Sequence, residues 1–122
     1  MNKDILKRLK NAGVLSEQVI DLGFVGTGSY ALNKIISGSY TNGVPIGMIT
    51  QFYGETSTGK TMFATHILRE AQKLGYHVYL VDSENAYNSE FANHLGLDPT
   101  KLMYSAPDTL EQSFQDIEDY IL

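Results

Sequence analysis

The segment with the clearest chemical character is the run 54–61, which reads GETSTGKT. Its spacing fits the pattern G-x-x-x-x-G-K-[ST], which is typical of loops that bind the phosphates of nucleoside triphosphates. Such a loop needs several backbone N–H groups pointing inward, with glycine at positions where a Cβ would block them. The run therefore predicts a nucleoside triphosphate ligand.

The residues of this loop have different predicted tasks. Lys60 reaches the β- and γ-phosphates as a mobile cation, and the Thr61 hydroxyl is placed to bind Mg²⁺. The other predicted cofactor contacts come from the rest of the loop, namely Gly54, Glu55, Thr56, Ser57, Thr58 and Gly59. A flexible Gly/Ser/Thr loop with no ligand is the alternative, and the flanking sequence argues against it.

The flanking segments predict the elements that position the loop. Residues 48–53 are apolar and β-prone, which indicates a strand, and residues 62–74 repeat apolar side chains at helical spacing. Gly75 is a helix stop, and residues 77–82 predict a second strand. Two strands joined by a helix form a βαβ unit, so we expect an α/β fold with a parallel sheet and flanking helices.

Composition limits the class of protein. The 122 residues and a hydrophobic content of 43% suit one domain. The net charge of −5 does not suit an independent nucleic-acid binder. With no cysteine, disulfides and thiolate zinc sites are excluded. No stretch is apolar for the length of a membrane span, and the first residues do not form a signal sequence, so we expect a cytoplasmic protein without a membrane partner.

The segments before the loop contain two predicted short helices. In residues 1–12, Ile5, Leu6 and Leu9 share one helical stripe, which predicts an amphipathic helix that ends near Gly13. A helix this short needs a packing surface, either in the same chain or on a neighbour. Ser29 could cap a second helix that runs to residue 36, and residues 37–45 are predicted to form a loop.

A second candidate functional segment, 82–88, follows the second predicted strand and reads DSENAYN. Ligands bind at the carboxyl ends of parallel strands, and a glutamate there can polarise a water toward a γ-phosphate. Glu84 is the candidate for this task. The alternatives are a solvated turn residue or a cap for a helix over residues 89–95.

Taken in order over residues 25–122, these segments resemble the RecA-type recombinases. The matching segments are GTGSYALNKIISG, a Gly/Pro loop, FYG, GETSTGKT, VDSENA, HLGLDP and APDTLEQ. The run DSENAYNSEFANHLGLDPTKL and the short N-terminal helix are most similar to phage recombinases of the phage T4 UvsX type. The resemblance implies ATP-dependent filament formation on single-stranded DNA, followed by homologous pairing and strand exchange.

The resemblance also implies roles for individual residues, with ATP and Mg²⁺ as cofactors. Gly54, Gly59, Lys60 and Thr61 match the triphosphate and Mg²⁺ ligands of the family, and Glu84 matches its water-activating glutamate. Phe91 falls where the family places an aromatic near the adenine ring. The alternative for Phe91 is a simple apolar contact on the helix 89–95. Asn88 departs from the acid often found at its position, which puts an adenine or ribose contact there in doubt.

The resemblance divides the chain into two parts. Residues 1–24 resemble an N-terminal helix and linker that form a filament-docking arm. The arm would dock Ile5, Leu6 and Leu9 on the neighbouring subunit. Residues 25–122 resemble the first part of a RecA-like ATPase core. The second acidic strand with its Mg²⁺ aspartate, the two DNA-binding loops and the γ-phosphate sensor are not in this chain, so single-stranded DNA contacts are expected from segments outside it.

The same resemblance predicts an incomplete sheet. Two strands of the family's sheet would lie between the phosphate-loop strand and the strand over 77–82. We therefore expect uncovered strand edges, instability or self-association of the isolated chain, and poor ATP hydrolysis. Three explanations would account for the missing strands. The chain is a piece of a longer recombinase, the product of a split gene, or a shortened protein with its own packing.

Two other classes of function stay open. The chain could be a nucleotide-binding module that joins a recombinase filament and modulates it without catalysis. It could also be another P-loop ATPase, such as a helicase or a small-molecule kinase. That class shares the loop GETSTGKT but explains neither VDSENA nor APDTLEQ.

Overall fold

The computed structural model describes residues 22–121. Within them, the chain forms four α-helices, one short 3₁₀ helix and four strands arranged as two separate two-stranded sheets. The predicted N-terminal helix, with Ile5, Leu6 and Leu9, lies outside the described residues. The class is mixed α/β, as the sequence predicts, but the sheets are shorter than expected.

The first sheet pairs strand β1 (Phe24–Val25) with strand β2 (Val44–Pro45) in antiparallel register. Val25 and Val44 lie opposite each other and are both buried. Strand β2 falls at the end of the stretch 37–45, which the sequence predicted to be a loop. The pairing forms because residues far apart in sequence meet, which a local pattern does not reveal.

Helix α1 (Tyr30–Ser37) lies between these strands, and Ser29 caps it as predicted. The Ser29 hydroxyl accepts a hydrogen bond from the Leu32 backbone N–H, as expected of an N-cap serine. Asn33 on this helix is buried, and its side-chain oxygen accepts from both the N–H and the hydroxyl of Thr27. Its amide donates to the carbonyl of Tyr40, so one side chain fixes the turns on both sides of the helix.

Helix α2 (Lys60–Lys73) is the longest helix and confirms the prediction for residues 62–74. It ends one residue before a short turn in which Gly75 takes a φ of 85°. Strand β3 (Val78–Val81) follows directly and confirms the second predicted strand. Because only a short turn joins them, α2 and β3 run in roughly opposite directions.

The second sheet is parallel and pairs β3 with strand β4 (Leu102–Ser105) over four residues each. Helix α3 (Ser89–His94) and a 3₁₀ turn (Pro99–Lys101) connect the two strands. Helix α3 confirms the predicted helix over 89–95 apart from its last residue. Ala92 and Leu97 on this connection are the most deeply buried apolar residues described. Strand β4 was not predicted, so the observed βαβ unit is not the one expected.

The predicted strand over residues 48–53 is wrong, because these residues form no strand in the structure. Ile49 is fully exposed and Tyr53 is 90% exposed. A strand exists through hydrogen bonds to a neighbouring strand, and among residues 22–121 none runs beside this segment. An apolar, β-prone composition alone does not hold a backbone extended.

Helix α4 (Leu110–Ile121) ends the described part. The Thr109 hydroxyl accepts from the Gln112 backbone N–H, as in a capping motif. Tyr120 stacks on Tyr79 of β3 with ring centroids 4.6 Å apart, which seats the helix on the parallel sheet. No helix between residues 22 and 121 is long and apolar enough to cross a membrane.

Candidate phosphate-binding site

The loop 54–61 leads into the N-terminus of α2. Gly59 precedes the helix with a φ of 92°. This left-handed conformation is strained for any residue with a Cβ, so it favours glycine. Ser57 also takes a positive φ, of 63°. Residues Gly54, Glu55, Thr56, Ser57, Thr58 and Thr61 are exposed, whereas Gly59 and Lys60 are half-buried. The loop therefore presents most of its backbone to solvent, where a ligand can approach it.

Lys60 folds back across the loop that precedes it. Its ammonium group donates to the carbonyl oxygen of Gly54 at 3.0 Å and to that of Glu55 at 2.7 Å. The Thr58 hydroxyl donates to the same Glu55 carbonyl at 2.8 Å. The structure thus brings the predicted lysine and the start of the loop together around one positive charge.

The N-terminus of α2 differs from those of α1 and α3. Asn88 caps α3 through its side-chain oxygen, as Ser29 caps α1, but Gly59 has no side chain to offer. The first-turn N–H groups of a helix have no acceptor within the helix, and they carry its positive dipole end. At α2 these donors stay available to an anion.

Glu84 lies in an exposed turn that follows the carboxyl end of β3, the end of a parallel strand at which ligands bind. Its carboxylate makes no hydrogen bond or ion pair with any other residue between 22 and 121. Only its backbone N–H is engaged, at 3.2 Å from the carboxylate of Asp82. The side chain that the sequence selects is therefore not used to build the turn.

Asp82 builds that turn instead. One carboxylate oxygen accepts from the Glu84 N–H, and the other accepts from the Tyr87 N–H at 2.7 Å. The Tyr104 hydroxyl lies 3.4 Å from the second oxygen, and partial desolvation together with the Asp82 charge raises the pKa of Tyr104. The Tyr87 and Tyr104 rings pack with centroids 5.1 Å apart, which closes the turn from the β4 side.

Phe91 lies on α3, and its side chain is half exposed. It is therefore not a core residue of the described chain, and its ring remains accessible to a ligand. The Asn88 side-chain oxygen accepts from the Phe91 backbone N–H at 2.9 Å. Asparagine directly before a helical segment is a strong cap signal, so this role of Asn88 was detectable from the sequence.

Three further residues around the site were not singled out from the sequence. Asp82 follows a strand and precedes Ser and Glu, which is a pattern typical of an Asx turn and was detectable. Arg69 and Gln72, on α2, bind the segment after α3, at a separation of 26 residues along the chain. No local signal predicts a pairing at that distance.

The loop 54–61 stands at the start of the longest described helix of an α/β chain, and its sequence pattern is that of a phosphate-binding loop. Comparisons with known proteins identify the family. Residues 3–122 match the family described as the RecA N-terminal domain. The chain therefore belongs to this family.

Individual relatives agree with that assignment. Protein RecA of Ureaplasma parvum serovar 3 is 36% identical over 117 residues, which cover 94% of this chain and 34% of that protein. Protein RecA of Cytophaga hutchinsonii is 37% identical over 105 residues, covering 86% and 29%. Protein RecA of Symbiobacterium thermophilum is 38% identical over 109 residues, covering 88% and 30%. The chain thus spans about a third of the length of these curated relatives.

Proposed function

We propose that this chain is the N-terminal part of an ATP-dependent RecA-type recombinase, which forms filaments on single-stranded DNA and promotes homologous pairing and strand exchange. The observation that carries the proposal is the position of Lys60, whose ammonium group lies across the loop from Gly54 to Gly59 in a chain of the RecA family. Within that family we favour the phage T4 UvsX type, and the cytoplasm of a bacterium or of a phage-infected host as the location.

In this proposal, the loop binds a triphosphate with its Mg²⁺. Backbone N–H groups of residues 54–61 and the positive end of α2 would hold phosphate oxygens. The Lys60 ammonium group, which now donates to the carbonyls of Gly54 and Glu55, would donate to β- and γ-phosphate oxygens instead. Thr61 supplies a hydroxyl to Mg²⁺, which in nucleotide sites takes one or two protein ligands and otherwise keeps phosphates and waters. The ion, when bound, neutralises charge that develops on the transferred phosphoryl group.

Glu84 acts in this proposal as the group that orients and activates the attacking water. Its carboxylate is exposed, unpaired within residues 22–121 and located in the turn after the carboxyl end of β3. Phe91 supplies an apolar face to the adenine ring, for which its half-exposed position is suitable. Filament contacts come from Ile5, Leu6 and Leu9, and DNA contacts come from segments outside this chain.

Nucleotide binding is the first test, and it uses the chain itself. Lys60→Ala removes charge-assisted hydrogen bonds of about 1.5–3 kcal/mol, so Mg·ATP affinity should fall about 10- to 150-fold. Lys73→Ala is the matched control, because Lys73 lies in the last turn of the same helix and its exposed ammonium group binds only Glu70 among residues 22–121. Equal losses for both variants, measured by calorimetric titration, would contradict the proposed site.

Strand exchange is the second test. A complete recombinase that begins with this chain should exchange DNA strands in the presence of ATP, and its Lys60→Ala variant should not. Sedimentation with single-stranded DNA would report filament formation in the same samples. Strand exchange that survives the substitution would refute the assignment of the loop.

A second candidate function is a module that joins and modulates a recombinase filament without catalysis. The observation that favours it is the apolar face of α4, on which Leu110, Phe114 and Ile121 are each more than 60% exposed. A groove of about 500 Å³ lies between this helix and the end of β3. An exposed apolar surface of this kind is typical of protein contacts.

The two candidates differ in their effect on an intact filament. A modulating module, added in excess, should slow filament growth by a complete recombinase and support no strand exchange itself. Ile5→Asp and Leu9→Asp should abolish that inhibition if the predicted arm makes the contact. Inhibition that persists in both variants would exclude docking through the arm.

A further inference from the structure

Helix α2 is connected to the segment that follows α3 by three hydrogen bonds. The Arg69 guanidinium donates to the carbonyl of Leu95 at 2.9 Å. The Gln72 amide donates to the carbonyl of Asp98 at 2.9 Å, and its oxygen accepts from the Asp98 N–H at 2.8 Å. Because the Gln72 pair is reciprocal, both the distance and the orientation of the segment are fixed.

Arg69 lies in a narrow space between two turns of backbone. A Cβ at Gly28 would stand 2.7 Å from its Nη2 atom, and a Cβ at Gly96 would stand 3.2 Å from its Cδ atom. Both glycines have positive φ, so each turn approaches the arginine where a larger residue is excluded. Glu70 holds the guanidinium from its other side at 2.7 Å, which leaves the side chain one orientation.

The position of α3 relative to α2 determines where Phe91 lies. Ala92 is 2% exposed and Leu97 is 1% exposed, so this side of the connection packs inward, while Phe91 is 50% exposed. α3 has only six residues and cannot hold its own position. Its placement therefore depends on the contacts that Arg69 and Gln72 make from α2.

We propose that Arg69 and Gln72 are positioning residues that set Phe91 at a fixed place relative to the phosphate loop, and so determine the preference for ATP over a bare triphosphate. Both ends of the nucleotide are then held from one rigid helix, with the loop at its first residue and the clamp of Arg69 and Gln72 in its second half. The inference rests on the proposed function, because it requires Phe91 to contact the base.

The test compares two ligands of the same chain, Mg·ATP and Mg·tripolyphosphate. The wild-type chain should bind ATP more tightly. Gln72→Ala and Arg69→Met should each lower ATP affinity about 3- to 10-fold, the size of one aromatic contact, and leave tripolyphosphate affinity within about 2-fold. Gln115→Ala is the matched control, since its amide binds only Asp119 on the exposed surface of α4.

Phe91→Ala separates this inference from the function on which it rests. A lower ATP preference in Phe91→Ala, with no further loss in the double variant Phe91→Ala/Gln72→Ala, supports the clamp, because the two residues then act through one contact. If Phe91→Ala leaves the preference for ATP over tripolyphosphate unchanged, both the proposed base contact and the proposed clamp are overturned. If Phe91→Ala lowers the preference but Gln72→Ala and Arg69→Met do not, the clamp alone is overturned.

General loss of structure gives a different result. If Gln72→Ala and Arg69→Met weaken both ligands equally, Gln72→Glu decides, since it keeps the side-chain length and the acceptor for the Asp98 N–H but replaces the donor to the Asp98 carbonyl with a carboxylate oxygen. A selective loss of ATP affinity in Gln72→Glu supports positioning. Equal losses in all three variants overturn the proposal and leave these residues as general support.

Discussion

The backbone N–H of Tyr87 donates to the carboxylate of Asp82 across 2.7 Å, and this bond closes the turn that carries Glu84. Asp82→Ala should leave that N–H and the Glu84 N–H without their acceptor. We expect a loss of about 2 kcal/mol in the free energy of unfolding, since these are bonds to a charged group. Urea denaturation would measure the loss, and faster amide exchange at both residues would localise it.

Asp82→Asn is the control for this prediction. Asparagine retains one acceptor oxygen, so it should keep one of the two bonds and show a smaller loss. An alanine variant as stable as the wild type, with unchanged amide exchange, would show that the turn forms without Asp82.

Glu84 is expected to matter for hydrolysis and not for binding. In a complete recombinase, Glu84→Ala should lower the rate of ATP hydrolysis about 10²- to 10⁴-fold, as expected for a lost general base, and change ATP affinity by less than about 2-fold. Glu90→Ala, an exposed carboxylate on α3, should change neither quantity. An equal loss of binding and hydrolysis in Glu84→Ala would assign the residue to ligand contact.

Asn33, on α1 between the two strands of the first sheet, should be sensitive to substitution. Its replacement by alanine leaves the N–H of buried Thr27 and the carbonyl of Tyr40 without partners. We expect a loss of about 3 kcal/mol in the free energy of unfolding, because unpaired buried groups cost more than the bonds themselves contribute. Asn93→Ala, at an exposed site on α3, should stay within about 0.5 kcal/mol, and thermal or urea unfolding would compare the two.

His66 should make stability depend on pH. Burial, and after it the nearby Arg69 charge, lower the pKa of His66 from its ordinary 6.5, and Glu70 opposes them. The unfolded chain then binds a proton more readily than the folded one, so the free energy of unfolding should decrease as the pH falls from 6.5 through the lowered value. His66→Gln should flatten this decrease in a series of urea titrations.

Local features of this chain were predictable from the sequence, and contacts between distant segments were not. Ser29 and Gly75 mark helix ends through bonds within a few residues, and the loop before Lys60 follows from spacing alone. The strand predicted over 48–53 does not form, because a strand needs a neighbouring strand to bond to. Strand β4 forms because β3 lies beside it. The site divides in the same way, since its loop was predictable and the contacts of Arg69 were not.

The glycine before α2 has one more consequence, which concerns hydrogen exchange. A glycine N-cap costs a helix only a few tenths of a kcal/mol relative to serine or asparagine, so α2 loses little stability by it. The first-turn amides from Lys60 onward remain open to solvent and should exchange their protons rapidly. An anion that binds them slows that exchange, and the protection of these few amides becomes an intrinsic measure of ligand occupancy.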